Sequence, residues 1–571
     1  MGRLFEEHVK RSVRSLDGAW NFRKDPIDGG KRTAWYLGIP RPETVAVPSV
    51  WNTEKGNLTY EGVAWYEKTF YSEGGCLRFC FGAVMTEAEV WLDGVYIGAH
   101  YGGFSQFDLI VPNVGAGKHL LSVRVDNRFD EQSIPQKRVD WYHYGGIPRS
   151  VTVETLKGIC VLSHRLEYTL SDDLKCVMGR FTVALYNADA SMQTAEVEGT
   201  LDSEAAGAVT VTLEGNVYRT VTLPAFKKAN VRLWDIGKPE LYETCIKTAT
   251  DDLYDRVGFR KVEVCGRQFL LNGRAIELRG VNRHEEHPDW GFAFPLNLMR
   301  RDIDLAVEMG CNALRGSHYP NSQEFVDLLD ERGILFWSEI PMWGWGFSEE
   351  ALADPVVVER GLEMHREMVK YYYNHPCIIM WGMHNEIQLK TQAAYRLTEV
   401  YYHYLKENGG NRLVVYASDK PWEDICFGFC DVICLNQYYG WYYGYEDDAW
   451  ESFLEAFTQH KRELEMEDKP IIMSEFGCAA IFGYHDDDGI LWSEENQAKQ
   501  IAHCLQVFHA HKDVVGSFIW QFCDMRTCLE AGINRARGFN NKGLLNEYRK
   551  PKLAYLAAKN AYLAFAQEEK S

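Results

Sequence analysis

The sequence lacks the long apolar runs and the excess of positive charge that many membrane and nucleic-acid proteins carry. No stretch of 18 consecutive apolar residues occurs in its 571 positions, so no membrane-spanning helix is predicted. Residues 1–16 contain no apolar segment typical of a secretory signal. Lys and Arg number 61 against 81 Asp and Glu, and this net charge of −20 argues against a nucleic-acid surface. We therefore expect a cytoplasmic protein that binds neither membranes nor nucleic acids.

Motifs for metals and phosphates are also missing. The 15 cysteines include no CxxC pair, and the cysteines at 426, 430 and 434 match no zinc spacing. HEEHP at 284–288 fits neither HExxH nor HxxEH. No Gly-rich phosphate loop stands in a convincing context. We interpret the cysteines as reduced and mostly buried, and we predict neither a metal nor an organic cofactor.

Two all-β domains are predicted in the first 262 residues. In residues 1–157, the pair Asp93-Gly94 separates two alternating segments, which indicates a hairpin, and HLLSVRVDN alternates apolar and polar residues. This pattern favours a jelly-roll β-sandwich. Residues 158–262 hold about seven short alternating strands, as in an immunoglobulin-like β-sandwich, with no catalytic pattern.

Residues 263–571 alternate short apolar runs with amphipathic helical segments. One helical segment, SQEFVDLLDERG, ends at Gly333, a typical helix stop. The eight apolar runs are IELRGVN, NALRGSHYP, ILFWSEIP, CIIMWGMHNE, LVVYASD, VICLNQYY, PIIMSEFG and VGSFIWQF. Eight β/α units in about 300 residues predict a TIM (β/α)8 barrel as the catalytic domain.

Two carboxylates stand at the ends of predicted barrel strands. Glu386 follows the fourth run and Glu475 ends the seventh, and the carboxyl ends of barrel strands surround one active-site crater. A carboxylate pair in such a crater is what glycoside hydrolysis requires, but spacing alone does not say which one is the acid. An amide can bind a sugar hydroxyl, and a phenol can orient Glu475. The other crater candidates are His318, Asn385, Tyr438, Tyr442 and Trp520.

Several motifs give the chain a family resemblance. HNE at 384–386, SEFG at 474–477, NHPCIIMWGMHNE, ICLNQYYGWY and LRGSHYPN resemble blocks of glycoside hydrolase family 2, and within it the bacterial β-glucuronidases. The resemblance covers nearly the whole length. It implies that Glu386 is the general acid/base and Glu475 the nucleophile of a retaining mechanism. Because the acid must hold its proton, we expect a raised pKa for Glu386 and an ionised Glu475 kept charged by a cation such as Arg315.

Further motifs narrow the implied substrate to a uronic acid. FNNKG holds Asn540 and Lys542, which match the N-x-K motif with which β-glucuronidases hold the sugar carboxylate, and we expect Lys542 at the rim of the crater. Asp140 in DWYHYGGIPRSV resembles a jelly-roll loop residue that contacts a sugar hydroxyl. Arg535 or Arg537 is expected to assist, and the motif leaves the choice between them open.

The chain departs from the family pattern at several positions. Ile387 stands where the acid motif commonly has Pro, and Gln437 and His143 replace Arg and Asn. The segment MWGWGFSEEALADP is short where some gut-bacterial relatives carry a long loop. We therefore expect an open crater. In it, Trp343 and Trp345 would contact the aglycone.

The expected function is a retaining exo-β-glucuronidase acting on a small glucuronide or a short uronic-acid glycoside. The resemblance also implies a homo-oligomer, either a dimer or a tetramer. A β-galacturonidase, which differs only in the sugar's C4 configuration, stays open. Another family 2 β-glycosidase, such as a β-galactosidase, is disfavoured by Asn540 and Lys542. A non-catalytic sugar-binding protein is disfavoured because both carboxylates are present.

Overall fold

The computed structural model describes residues 3–532 and 534–569, except for the side chain of Trp345. The chain begins with a β-sandwich of two antiparallel sheets. The smaller sheet contains, in spatial order, Ser12–Ser15, Val151–Leu156, Gly75–Phe81 and Phe107–Val114. The larger contains Glu43–Val47, Gly18–Asp25, Val63–Ser72, Gly117–Asp126, Glu87–Leu92 and Val95–Tyr101. A separate pair joins Ser49–Val50 to Gly146–Ile147, and 3-10 helices span Trp35–Leu37 and Trp51–Thr53.

Sequence pattern explains this sandwich locally. In HLLSVRVDN, Leu121, Val123 and Val125 are buried in the core between the sheets, because alternate residues of a strand face the same side. Asp93 and Gly94 both adopt positive φ, at 52° and 81°, and connect two paired strands, as the hairpin signal predicts.

A second sandwich follows the first. One sheet consists of Ile159–Leu170, Cys176–Asn187 and Tyr218–Thr222, with Phe226–Ala229 also paired to the central strand. The other consists of Glu204–Leu213, Gln193–Leu201, Tyr242–Lys247 and Asp252–Val257. Buried apolar side chains from both sheets fill the space between them.

A closed parallel barrel completes the chain, behind a small sheet of Val262–Cys265, Gln268–Leu271 and Arg274–Ala275. The eight barrel strands, numbered here first to eighth, are Leu278–Asn282, Ala313–Gly316, Leu335–Glu339, Ile378–Asn385, Leu413–Ser418, Ile433–Asn436, Ile471–Phe476 and Val514–Ile519. The first seven lie within the corresponding predicted apolar runs, and the eighth begins one residue before its run, VGSFIWQF. The predicted fold class of two β-sandwiches and a TIM barrel is therefore confirmed.

Helices surround the barrel, and polar caps fix where several begin. Ser322 accepts a hydrogen bond from Phe325 N, and Gly333 ends the same helix with φ 64°, as predicted. The α-helices span Leu296–Met309, Gln323–Arg332, Glu349–Ala353, Pro355–Tyr372, Gln392–Asn408, Ala449–Glu463, Glu494–Ala510, Leu529–Gly532 and Leu553–Glu568. Three 3-10 helices and a short strand pair lie in the loops, at Gly344–Gly346, Phe427–Phe429, Ala536–Gly538, Met525–Arg526 and Phe539–Asn540.

Buried ion pairs tie the β-sandwiches to the barrel. Arg3 bridges Asp255 of the second sandwich at 2.9 Å and Asp327 of a barrel helix at 2.7 Å. Asp327, Asp330 and His375 have ligand atoms within 4.8 Å of one another, a spacing that a metal ion could use. In this structure Arg3 supplies the positive charge to Asp327, and Asp330 is hydrogen-bonded to His375. The cluster therefore acts as a structural junction.

The jelly-roll domain also reaches the carboxyl end of the barrel. Trp141 is fully buried and its ring contacts His284, His318 and Trp343, which follow barrel strands. Arg149 pairs with Glu285 at 3.1 Å. The first domain therefore forms one wall of the crater.

The 15 cysteines are free thiols, and 13 of them are buried. Cys478 lies directly behind the SEFG motif, but burial raises the pKa of its thiol to about 12, which keeps it protonated and unreactive. In the part of the chain that the structure describes, no helix combines the length and the apolar character needed to cross a membrane.

Candidate active site

Both predicted catalytic carboxylates lie in the crater. Glu475 is the fifth residue of the seventh barrel strand, and Glu386 directly follows the fourth. Only 4% of Glu475 and 7% of Glu386 is exposed. Glu386 has a left-handed backbone, with φ 50°, where its amide donates to Ala417 O at 2.9 Å across to the fifth strand. This bond fixes the backbone from which the Glu386 side chain projects.

Glu475 is held by one cation and one phenol. Arg315 Nη1 donates to Glu475 Oε1 at 2.8 Å, and Tyr438 OH donates to Oε2 at 2.8 Å. Arg315 is itself fixed by two hydrogen bonds of 3.0 Å to Glu339, at the end of the third strand. Both carboxylate oxygens of Glu475 are therefore oriented, one by the second strand across the barrel and the other by the loop after the sixth strand.

Glu386 is bound differently, by an amide. Asn436 Nδ2 donates to Glu386 Oε1 at 2.7 Å, and Ser474 Oγ fixes the Asn436 carbonyl at 2.7 Å. No cation contacts Glu386 among the hydrogen bonds and ion pairs of the described residues. The two carboxyl groups therefore have different partners, which is how one pair divides into an acid and a nucleophile.

The pKa values follow from these surroundings. Burial, the charge of Asp419 and the charge of Glu475 raise the pKa of Glu386 well above its ordinary value, as expected for an acid. Burial also raises the pKa of Glu475 to about 7, although Arg315 and Tyr438 oppose this. The expectation that Glu475 simply stays ionised was therefore too strong, because it left out the cost of burying the charge. Arg315 and the Tyr438 phenol favour the charged form of Glu475, whereas Glu386 accepts a hydrogen bond only from the Asn436 amide among the described residues.

Several buried polar atoms in the crater have no hydrogen-bond partner among the described residues. They include Asn385 Nδ2, His284 Nε2 and His318 Nε2, and the last of these lies 3.9 Å from Glu475 Oε1. The other sides of these groups are fixed: Arg315 donates to Asn385 Oδ1 at 2.7 Å, and His318 Nδ1 lies 2.7 Å from Glu339. Unpaired buried polar groups are costly, so these atoms are suited to bind hydroxyl groups of a sugar.

Aromatic rings form the walls around these atoms. The Trp520 ring is stacked on His318, with centroids 5.1 Å apart, and lies edge-on to His284. Trp343 is 5% exposed and packs against Trp141, so it belongs to the wall. The expected aglycone contact of Trp345 lies outside the described side chains.

A buried lysine lies at one end of the crater. Lys542 Nζ donates to Tyr442 OH at 2.7 Å and lies over the Tyr438, Trp441 and Tyr442 rings. Only 2% of Lys542 is exposed, so the expected rim position was wrong. The reason is that aromatic residues of the loop after the sixth strand cover its long side chain.

The same end of the crater distinguishes the two arginine candidates. Arg535 Nη2 donates to Asp140 Oδ1 at 2.7 Å, and Asn540 Nδ2 donates to the other Asp140 oxygen. Arg537 instead pairs with Glu547 at 2.8 Å. Asp140, Arg535 and Asn540 therefore form one network beside Lys542.

Two departures from the family pattern have structural partners. His143 Nε2 lies 2.8 Å from Lys137 O, and its ring packs against Phe129. Gln437 accepts a hydrogen bond from Tyr443 OH at 3.0 Å. Both residues support the loops around the crater.

Sequence reasoning missed four residues that shape the site. Glu339 and Asp419 end or follow the third and fifth strands, so the strand-end rule that selected Glu475 could have found them. Trp141 is next to Asp140 in the same loop. Trp441 lies within the quoted ICLNQYYGWY block, but no pattern in that block distinguishes a ring over Lys542 from a core ring.

Comparison with known proteins identifies the family of the chain. The model of the glycosyl hydrolases family 2 TIM barrel domain matches residues 262–567, and that of the family's sugar binding domain matches residues 13–157. The chain belongs to glycosyl hydrolase family 2. The family resemblance read from the motifs is confirmed, and with it the prediction of a glycoside hydrolase.

Individual relatives of the family 2 chain are similar over almost its whole length. A β-glucuronidase of Paenibacillus borealis is 28% identical over 96% of both chains. The crystal structure of a family 2 β-galacturonidase from Eisenbergiella tayi bound to galacturonate is 32% identical, covers 99% of both chains and has a TM-score of 0.92. The Ruminococcus gnavus β-glucuronidase structure is 27% identical, covers 97% of this chain and 98% of that one, and has a TM-score of 0.86.

Proposed function

We propose that the chain is a retaining exo-β-glucuronidase, which hydrolyses β-D-glucuronides to glucuronate and an aglycone. The observation that carries this proposal is the buried Lys542 ammonium at one end of the crater, which forms no ion pair with a carboxylate among the described residues. A uronic acid has a carboxylate at C6 where a glucoside has a hydroxymethyl group. The Lys542 ammonium suits that carboxylate, whereas a neutral sugar would leave its charge without a counterion. Arg535 lies near the same Tyr442 but is already paired with Asp140.

Hydrolysis proceeds through two displacements in this proposal. Glu475 attacks the anomeric carbon and forms a glycosyl ester, while Glu386 gives its proton to the departing glycosidic oxygen. Glu386, now a carboxylate, then takes a proton from water. That water attacks the anomeric carbon, breaks the ester bond and releases glucuronate with the β configuration. Arg315 and Tyr438 orient Glu475 for attack and stabilise it again as the leaving carboxylate.

The rate of this reaction should depend on pH through both carboxyl groups. Activity requires an ionised Glu475 and a protonated Glu386. We expect kcat/KM to fall at low pH as Glu475 takes up a proton, and at high pH as Glu386 loses its own. Because the two groups interact, the two limbs of the pH profile give apparent pKa values that belong to the pair of carboxyl groups. The measurement is kcat/KM for an aryl β-glucuronide from pH 4 to 10, and a rate that kept rising through pH 10 would exclude Glu386 as an acid.

A second specificity, for β-galacturonides, is supported by one comparison. The Eisenbergiella tayi β-galacturonidase is more similar in sequence and in TM-score than the Ruminococcus gnavus β-glucuronidase. The two sugars share the C6 carboxylate and differ only at C4. Aryl β-glucuronide and β-galacturonide with the same leaving group, assayed side by side, decide between them by the ratio of kcat/KM.

Replacement of Lys542 tests the uronate site. Lys542→Met keeps most of the apolar volume under the aromatic rings but removes the charge. A charge-assisted hydrogen bond contributes roughly 1.5–3 kcal/mol. Since the sugar carboxylate is then left unpaired, we expect a total of about 3–4 kcal/mol, or a loss of about 10²–10³ in kcat/KM on aryl β-glucuronide. Activity on the matched β-glucoside, if any, should change little.

A matched control separates charge loss from a general effect. Lys550 is exposed and lies eight residues further along the chain, so Lys550→Met should leave both activities unchanged. An equal loss on glucuronide and glucoside in Lys542→Met would assign Lys542 a structural role. Near-normal activity on the glucuronide would place the carboxylate elsewhere, with Arg535 as the next candidate.

The proposal also covers the oligomeric state, the location and the substrates of the enzyme. The resemblance to family 2 supports a homo-oligomer, a dimer or a tetramer, acting in the cytoplasm on small glucuronides or short uronic-acid glycosides. Light scattering on the purified chain measures the assembly, and a monomer at micromolar concentration would contradict this part of the proposal.

A further inference from the structure

Asp419 is a carboxyl group beside the general acid that the mechanism above does not use. It follows the fifth barrel strand as Glu386 follows the fourth, and the Glu386 amide bonds to Ala417, two residues before Asp419. The Asp419 side chain is 18% exposed, and its Oδ1 is buried without a hydrogen-bond partner among the described residues. The other oxygen forms an ion pair with Lys420. Asp419 therefore places a negative charge next to the acid.

The backbone of Asp419 is also anchored to the catalytic strands. Gln437 Nε2 lies 3.5 Å from Asp419 O, and the Gln437 amide donates to Glu475 O at 2.9 Å. Tyr443 OH in turn fixes the Gln437 side chain at 3.0 Å. Through Gln437, these bonds connect the loop after the fifth strand to the strand that carries Glu475.

Groups of both signs face Glu386 from the surrounding strands. Asp419 and Lys420 face it from the end of the fifth strand, and Glu475 from the seventh. The sixth strand contributes the Asn436 amide, and the following loop contributes the Tyr438 and Tyr443 phenols. Asp419 and Glu475 disfavour the charged form of Glu386, whereas Asn436 and Lys420 favour it.

We propose that Asp419 is a positioning residue whose negative charge keeps Glu386 protonated before the first displacement and basic during the second. This inference rests on the proposed double displacement. In the first step Glu475 is a carboxylate and repels charge on Glu386. In the glycosyl-enzyme Glu475 is an ester without charge, so that repulsion disappears. Asp419 is unchanged by the reaction, and its charge continues to support Glu386 as the base that takes a proton from water.

The signs of the effects agree with this role. Burial and the negative charges of Asp419 and Glu475 all raise the pKa of Glu386. Burial raises the pKa of Asp419 itself, and its ion pair with Lys420 opposes the shift. The ion pair between Asp419 and Lys420 therefore determines how much of the negative charge of Asp419 acts on Glu386.

The test is the pH profile of three variants. Asp419→Asn keeps the shape of the side chain and removes its charge. We expect the high-pH limb of kcat/KM, on whichever aryl uronide the wild type hydrolyses faster, to move down by about one pH unit, the low end of the effect of a neighbouring like charge. Lys420→Met frees the Asp419 charge and should move the same limb up. Glu423→Gln removes an exposed carboxylate from the same loop and should leave the limb in place.

The outcomes separate this inference from the proposed function. If the wild type hydrolyses neither uronide, the proposed function fails. If it hydrolyses one, and Asp419→Asn has an unchanged thermal unfolding midpoint but an unmoved limb, only the role of Asp419 fails. A shift of equal size in Glu423→Gln would also contradict it. Lys420→Met cannot replace Asp419→Asn in this decision, because Lys420 also acts on Glu386 directly. Should Asp419→Asn unfold, Asp419→Ser is the second uncharged variant, and an unmoved limb in that variant overturns the inference.

Discussion

Glu475→Ala should abolish most of the activity, with the largest loss of any single substitution in the chain. Catalytic residues act together as a unit, and removing one of them lowers kcat by a factor on the order of 10⁴–10⁶. The structure gives a specific reason for so large a loss. Arg315 and Tyr438 both donate to this carboxylate, so the variant loses the attacking group that these two residues orient. The measurement is kcat/KM on an aryl β-glucuronide.

Chemical rescue shows whether the loss is due to a missing nucleophile. Azide fits the space left by the carboxylate and attacks the anomeric carbon from the face that Glu475 uses. The expected product is an α-glucuronosyl azide, formed in one displacement. Glu467→Ala, an exposed glutamate ahead of the same strand, is the control and should retain full activity. A residual activity in Glu475→Ala above about a tenth of wild type would exclude Glu475 as the nucleophile.

Glu386→Gln should lose activity in proportion to how much the leaving group needs a proton. General acid catalysis contributes about 10²–10⁴. We expect this loss for phenyl β-glucuronide, whose leaving group is poor. For 2,4-dinitrophenyl β-glucuronide, formation of the glycosyl-enzyme should change little, because that leaving group departs without a proton. Breakdown should be slow, since Glu386 also activates water. Glutamine keeps the hydrogen bond with Asn436 possible, so the fold should be retained.

The dependence on the leaving group distinguishes an acid from a structural residue. Azide should accelerate breakdown of the glycosyl-enzyme in Glu386→Gln and give a β-glucuronosyl azide, the anomer opposite to that from Glu475→Ala. Burst kinetics on the dinitrophenyl substrate measure the two steps separately. An equal loss on both substrates, with no burst, would contradict the assignment of Glu386.

The barrel and its carboxylates could be predicted because parallel-barrel strands are buried on both faces and read as continuous apolar runs. PIIMSEFG and CIIMWGMHNE are such runs, and a carboxylate at the end of either has to face the crater. The roles of Glu386 and Glu475 came from the family resemblance, since position alone treats them alike. The structure adds the physical difference, a cation for Glu475 and an amide for Glu386.

Other features of the site could not be predicted because they depend on contacts distant in sequence. The sequence around Lys542 is typical of an exposed lysine. Only the fold shows that the Trp441 and Tyr442 rings lie over its side chain. Arg535 and Arg537 are equivalent by sequence, and only the jelly-roll residue Asp140, almost 400 positions away, selects Arg535. The pKa of Glu475 depends on a balance between burial and Arg315 that no local pattern contains.

The anomeric form of the sugar at the moment of release tests the proposed mechanism most directly. Proton NMR of an aryl β-glucuronide, recorded during the first minutes after enzyme is added, separates the anomeric signals of α- and β-glucuronate before mutarotation mixes them. Attack by Glu475 followed by attack of water inverts the anomeric carbon twice, so we predict that β-glucuronate appears first and the α anomer only later. Initial release of α-glucuronate would mean a single displacement and would contradict the roles of both Glu386 and Glu475.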